Sequence, residues 1–159
     1  MRKRRAKRRH LVAVVAFDGV VLGDLSTPCE IFGLVRGRDG RPLYDVRICS
    51  VTREVKSEHV ILRVPWRLSS LTRADTVIVP GIARLDQRLP KALLRAIRRA
   101  VDRRARVASI CSGAFVLAAT GRLMACVQQP TGAPLRSWGV VTERSMSILT
   151  CSMSITELY

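Results

Sequence analysis

The apolar residues of this chain fall into short unbroken runs that alternate with amphipathic stretches. His10–Phe17 is continuously apolar after its first residue, as a strand buried on both faces of a parallel sheet must be. The loop Asp18–Ser26 follows, and Thr27-Pro28-Cys29-Glu30 reads as a helix start. There Thr27 caps, Pro28 takes the first helical position and Glu30 reaches back to the cap N–H. Ile31, Phe32, Leu34 and Val35 supply the packing face of that helix, and Gly37 and Gly40 end it. Tyr44–Val51 is a second strand, and Glu54–Val64 reads as a hairpin or an edge strand near Val60–Val64.

Thr76–Val79 is a short buried strand that stops at Pro80-Gly81. Pro90–Asp102 carries the helical period, with Leu93, Leu94, Ile97 and Val101 on one side and Arg95, Arg98 and Arg99 on the other. Arg106–Ile110 is the next strand, and Gly113–Ala119 continues as a helix ended by Gly121. Strands alternating with helices through short connections predict an α/β fold with a doubly wound, mainly parallel sheet. Ligands bind such sheets beyond the carboxyl ends of the strands. Three loops converge there: Asp18–Ser26, Pro80-Gly81 and Cys111-Ser112-Gly113.

Composition narrows the picture. A chain of 159 residues with 48% hydrophobic content has room for one domain and one substantial core. Aromatics make up only 4%, so that core is built of Val, Leu, Ile and Ala. The net charge is +16, but seven of the 28 basic residues lie in Met1–Arg9, the like-charge run of a solvated tail. Nine more lie between Arg84 and Arg106, largely on the exposed face of the expected helix. Neither segment has interleaved aromatics or a reading motif, so a nucleic-acid-binding protein rests on charge alone. The apolar run after Arg8-Arg9 is about seven residues, at the lower limit of a signal-peptide core, with no small-residue cleavage site directly after it. No segment approaches the ~20 apolar residues of a membrane span. The expectation is a cytoplasmic protein with no membrane partner.

Five cysteines (Cys29, Cys49, Cys111, Cys126, Cys151) form no C-x-x-C pair, and His10 and His59 are the only imidazoles. That argues against a metal site, and the odd number and irregular spacing argue for a reducing compartment. Cys111 stands apart, because Val107–Ala114 places it where a strand turns into a helix, as in a nucleophile elbow with Cys for Ser. Unpaired N–H groups at a helix start favour a thiolate. The small neighbours Ser112, Gly113 and Ala114 leave the sulfur open. The competing expectation is a buried structural cysteine, the ordinary fate of a free thiol. Asp24 follows the first strand closely enough to project towards the same crevice, where a carboxyl shares or relays a proton; the bland alternative is an exposed loop aspartate. Gly81 permits close approach, which makes its N–H a candidate oxyanion donor.

Three segments carry a family resemblance: Phe17–Phe32, the ADTVIVPG run at Ala74–Gly81, and ASICSGAFVLAATG at Ala108–Gly121. They resemble the DJ-1/PfpI superfamily, in particular the N-terminal domain of GlxA-type AraC-family transcriptional regulators, over about Leu11–Leu123. The resemblance implies a flavodoxin-like, class I glutamine amidotransferase-like sheet, incomplete at its C-terminus, with Cys111 at the elbow. Asp24 matches the acidic residue that isonitrile hydratase-type members place beside the cysteine. The implied ligand-binding residues are Cys111, Ser112, Gly81 and Asp24, for a small molecule and with no cofactor. The implied role is ligand sensing or dimerisation, as a homodimer in an intact relative, with DNA bound through a C-terminal helix-turn-helix pair.

Three departures qualify that implication. Ile82 follows Gly81 where many relatives have a second Gly, the family's Thr-Thr-His-Trp segment is absent, and so is the helix-turn-helix region. The expected organisation is a basic tail at 1–9, the domain at 10–123, and an irregular segment at 124–159. That last segment reads as frameshifted, because codons permitted from the third base of Met124 allow Gly-Val-Arg-Pro-Thr-Thr-His-Trp. The expected product is a truncated regulator. The alternative function is a cysteine-dependent hydrolase or hydratase with Cys111 as nucleophile and Asp24 as acid/base, working without the usual His.

Overall fold

The computed structural model describes residues 8–122. Most of the basic tail, and the segment 123–159 with its frameshift reading, lie outside the described residues. In chain order the elements are β1 (His10–Val15), α1 (Leu22–Leu34), β2 (Tyr44–Ser50), β3 (Glu54–Lys56), β4 (Ile61–Arg63), β5 (Trp66–Arg67), a 3-10 turn at Leu68–Arg73, β6 (Thr76–Val79), α2 (Lys91–Asp102), β7 (Arg106–Ser109) and α3 (Gly113–Ala118). Five strands form a parallel sheet in the order β5-β2-β1-β6-β7, while β3 and β4 pair antiparallel as a separate hairpin. This is the α/β sheet that the alternating runs predict.

β1 is central because it is the most apolar strand: Val12 to Ala16 are fully buried, which requires cover on both faces. Leu25 and Pro28 of α1 supply part of it, and the Phe32 ring meets Tyr44 of β2 edge to face at 4.9 Å. Leu93, Ile97 and Ala100 of α2 are buried in the same core. From β1 the chain first builds outward through β2, then returns to lay β6 on the other side of β1. The order therefore reverses between β1 and β6, and a crevice opens at the carboxyl ends of the strands there.

α1 departs from expectation. It begins at Leu22, so Thr27 is not its cap, Pro28 lies inside it, and Asp24 sits in its first turn rather than in a loop. The local Thr-Pro-Cys-Glu signal is outweighed by burial: Leu25 is only 3% exposed, and an extra turn is needed to place it on the core. The Val21 N–H donates to the Gly81 carbonyl at 2.9 Å and anchors the helix start to the loop after β6. The cost is the proline, which has no N–H for the Asp24 carbonyl four residues back. The helix also ends at Leu34, before Gly37. β5 and the 3-10 turn carry no period long enough to be read. The two-residue β5 blunts that sheet edge, and Arg47 stacks over its Trp66 at 4.1 Å.

At the opposite end of the sheet one residue, Asp75, ties three strands through its carboxylate and its backbone. Asp75 Oδ2 accepts the Leu11 N–H at 2.8 Å, Oδ1 pairs with Arg8 at 2.6 Å, and the backbone of Asp75 bonds to Leu11 and Arg106. Burial pushes its pKa up, but the Leu11 N–H, the Arg8 guanidinium and His10 together outweigh burial and hold it below the ordinary aspartate value. A depressed folded pKa contributes stability that is present above the unfolded value and lost as pH falls through the folded one. Asp75→Asn should therefore cost about 1–2 kcal/mol at neutral pH and flatten the acid limb. Urea melts at pH 7 and pH 3 check this: the variant's deficit at pH 7 should shrink at pH 3.

Candidate functional site

β7 ends at Ser109, and the chain turns into α3 within three residues. The Ile110 N–H still donates to Val79 of β6 at 2.9 Å, and the Gly113 N–H closes the turn on the Ile110 carbonyl at 2.9 Å. Between them Cys111 takes φ = +51°, the left-handed region that a residue with a Cβ enters only under local constraint. The turn is this tight because Gly113 lies against the Val79 and Pro80 carbonyls, where any Cβ would overlap backbone. The outcome is an exposed Cys111 thiol. The other described cysteines differ. Burial, with the Glu30 charge, raises the half-buried Cys29, and burial pushes Cys49 up to about 11.

Asp24, half-buried in the first turn of α1, accepts the Gly81 N–H on Oδ2 at 3.1 Å. Ser112 Oγ accepts the Ile82 N–H at 2.9 Å and donates to the Ile82 carbonyl at 2.9 Å. Gly81 separates the two side chains: a Cβ there would meet both the Asp24 carboxylate and the Ser112 hydroxyl and push them off the loop. The structure thus joins Asp24, Gly81 and Ser112 around the β6 loop, with Cys111 next to Ser112 in the chain. Both β6-loop N–H groups that could face an oxyanion are already engaged, Gly81 by Asp24 and Ile82 by Ser112.

Other contacts of the crevice were not legible in the sequence. An isolated bridge joins Val20 to Ile82, and the Ala83 N–H donates to Gly19 at 2.8 Å. Asp18 Oδ1 accepts the Lys56 N–H at 2.8 Å, Gln87 Nε2 donates to the Asp18 carbonyl at 2.6 Å, and Ser57 Oγ donates to the Val20 carbonyl at 3.0 Å. These partners come from the β3–β4 hairpin and the loop before α2, and no periodicity or motif announces them. They brace the loop after β1 from two sides.

Chemically, the arrangement offers an exposed thiol on strained backbone, next in the chain to a serine whose hydroxyl is fixed on the loop that also holds the Asp24 carboxylate. Neither imidazole bonds to Cys111: His10 Nε2 is 2.9 Å from Thr76 Oγ1 at the start of the sheet, and His59 lies beside Glu58 at 3.9 Å. Among the described residues no group of three or more His, Cys, Asp or Glu is placed to hold a metal ion. No helix among them is long and apolar enough to cross a membrane. Two cavities, of about 550 and 410 Å³, lie away from Cys111, along α2 and at the amino ends of the strands.

No protein-family model matches the chain. An uncharacterized protein in the cpoL 5' region of Streptomyces lividans is 36% identical over 119 residues, covering 72% of this chain and 82% of that protein. Among solved structures, a THiJ/PfpI family protein from Pseudomonas syringae matches with a TM-score of 0.60 at 19% identity, over 72% of this chain and 47% of that one. An AraC family transcriptional regulator from Pseudomonas putida matches with a TM-score of 0.56 at 17% identity, over 70% of this chain and 71% of that one. The chain spans about half the length of the Pseudomonas syringae protein.

Proposed function

Because the chain belongs by fold to the DJ-1/ThiJ/PfpI superfamily, and by sequence to one family with the Streptomyces lividans protein, we propose that it is a ligand-sensing domain of the AraC-regulator kind. It binds a small organic molecule at Cys111 and pairs with a second copy. One observation carries this reading: Cys111 is exposed on left-handed backbone at the end of β7, beside loops stitched together by Asp24, Gly81 and Ser112. Strained backbone persists where its surroundings over-determine it, and such places are disproportionately functional. The fold shared with an AraC family transcriptional regulator supports a regulatory role. The family resemblance implies that any DNA contact belongs to a separate helix-turn-helix. A reduced thiol fits the cytoplasm.

The hydratase reading is weaker, because a cysteine nucleophile needs a proton partner. Among the described residues no hydrogen bond joins Asp24 to Cys111, and neither imidazole bonds to the thiol. A thermal-shift panel of small amides and isonitriles, followed by turnover assays, separates the two. Binding at a hundred times Kd contributes about 2.7 kcal/mol, a rise of several degrees that Cys111→Ala should abolish without any turnover having been seen. Turnover that vanishes in Cys111→Ala would make the protein an enzyme instead. Shifts indifferent to Cys111→Ala would move the ligand elsewhere.

A further inference from the structure

We propose that the groove between the 3-10 turn and α2 docks an acidic amphipathic helix of a partner protein. This surface is separate from the Cys111 crevice and does not depend on what binds there. Leu68, Leu71, Ala92, Ala96 and Ala100 give the groove, of about 550 Å³, an apolar lining, and Arg95, Arg99 and Arg103 run along it. The other wall is held in place by Arg103, whose guanidinium donates to the Leu71 carbonyl and, at 2.7 Å, to the Ala74 carbonyl.

Two stripes run along α2. Lys91, Arg95, Arg99 and Arg103 follow one another at i, i+4 spacing, and Ala92, Ala96 and Ala100 repeat beside them. Residues four apart on a helix are neighbours, so each successive basic pair repels. None of Lys91, Arg95 and Arg99 has an acidic partner among the described residues, and no acidic side chain lines the groove. From Lys91 to Arg99 the helix therefore carries an uncompensated row of positive charge about 12 Å long, roughly two turns at 1.5 Å per residue.

The occupant follows from these two stripes together. A single small anion would neutralise one position and leave the row repelling. A helix with carboxylates at the same spacing meets Lys91, Arg95 and Arg99 in register, while its apolar face settles on the part-exposed Leu68, Ala92 and Ala96. The alanines leave room for close approach. Nucleic acid would meet the charges, but the groove has no aromatic side chain on which bases could stack and would leave its apolar floor unused.

The test uses the full chain and a fluorescein-labelled 18-residue peptide with leucine at helical period and glutamate on the flanks. A peptide of the same composition with that pattern scrambled, and an 18-base-pair duplex DNA, serve as competing ligands. By fluorescence anisotropy at physiological salt, the patterned peptide should bind at least tenfold more tightly than either. Arg95→Glu with Arg99→Glu should weaken it at least tenfold, and so should Ala96→Trp, which fills the groove without changing charge. Both variants should melt within a few degrees of the parent, which shows that lost binding is not lost folding. Equal binding of the scrambled peptide, absence of peptide binding, or tighter binding of DNA that Ala96→Trp leaves intact would each overturn the proposal.

Discussion

Gly113→Val should remove at least about 3 kcal/mol of stability and lower Tm by more than about 10 °C. A Cβ at Gly113 is directed at the Val79 and Pro80 carbonyls, which are backbone and have no rotamer to change. Relief requires α3 to move off β6, and that movement pulls on the Ile110 N–H bonded to Val79 and on the turn that holds Cys111 in its left-handed conformation. A β-branched side chain adds a second rigid methyl to the same clash. Gly23→Ala is the matched control. It lies in α1 with nothing near the added Cβ, so relief of backbone entropy should leave stability unchanged or raise it by up to about 1 kcal/mol. Thermal melts of the two variants beside the parent decide the matter; a Gly113→Val protein melting within about 2 °C of the parent would mean that α3 is not packed as described.

The second large effect is chemical. Under native conditions at pH 8, iodoacetamide should modify Cys111 at least 100-fold faster than Cys29 or Cys49. The thiolate is the reacting species, and a thiol pushed up to about 11 is ionised only to roughly one part in a thousand at that pH. Cys49 is also fully buried, so the reagent cannot reach it without unfolding. Cys111 is exposed at the mouth of the turn. Trypsin separates the three: Val107–Arg122 carries Cys111, His10–Arg36 carries Cys29 and Ile48–Arg53 carries Cys49. Of these three peptides, Val107–Arg122 should carry the adduct first by mass spectrometry, and the other two only as denaturant is added. Protection of Val107–Arg122 until the protein unfolds would remove the premise of a ligand site at this cysteine.

The helix α2 and the strands β1, β2, β6 and β7 were legible to within two residues, because each is announced by a pattern confined to its own length. A run such as Leu11–Phe17 has no polar face to offer solvent, and the leucines and arginines of Lys91–Asp102 separate cleanly at helical period. The tight turn at Cys111 was legible for the same reason: an apolar strand followed at once by Ser112-Gly113-Ala114 leaves little choice but a sharp turn. The start of α1 was misread because Thr27-Pro28-Cys29-Glu30 satisfies every local rule for a helix start, while the burial of Leu25 and the bond from Val21 to Gly81 depend on a strand more than fifty residues further along.

The site follows the same division. Asp24 and Gly81, 57 residues apart, and Ser112 and Ile82, 30 apart, bond only because β6 is laid beside β1 and then followed by β7. The same strand order brings Asp75 to the Leu11 N–H across 64 residues. From the sequence alone came the class of fold, the central strand, the cationic face of α2 and the position of the exposed thiol, since hydrophobic period and turn chemistry act over a few residues. The engagement of the Gly81 and Ile82 N–H groups, the bracing of the first loop and the wall that turns α2 into a groove came only with the tertiary structure. A hydrogen bond or a groove needs two segments, and which segments meet is decided by the order of the sheet as a whole.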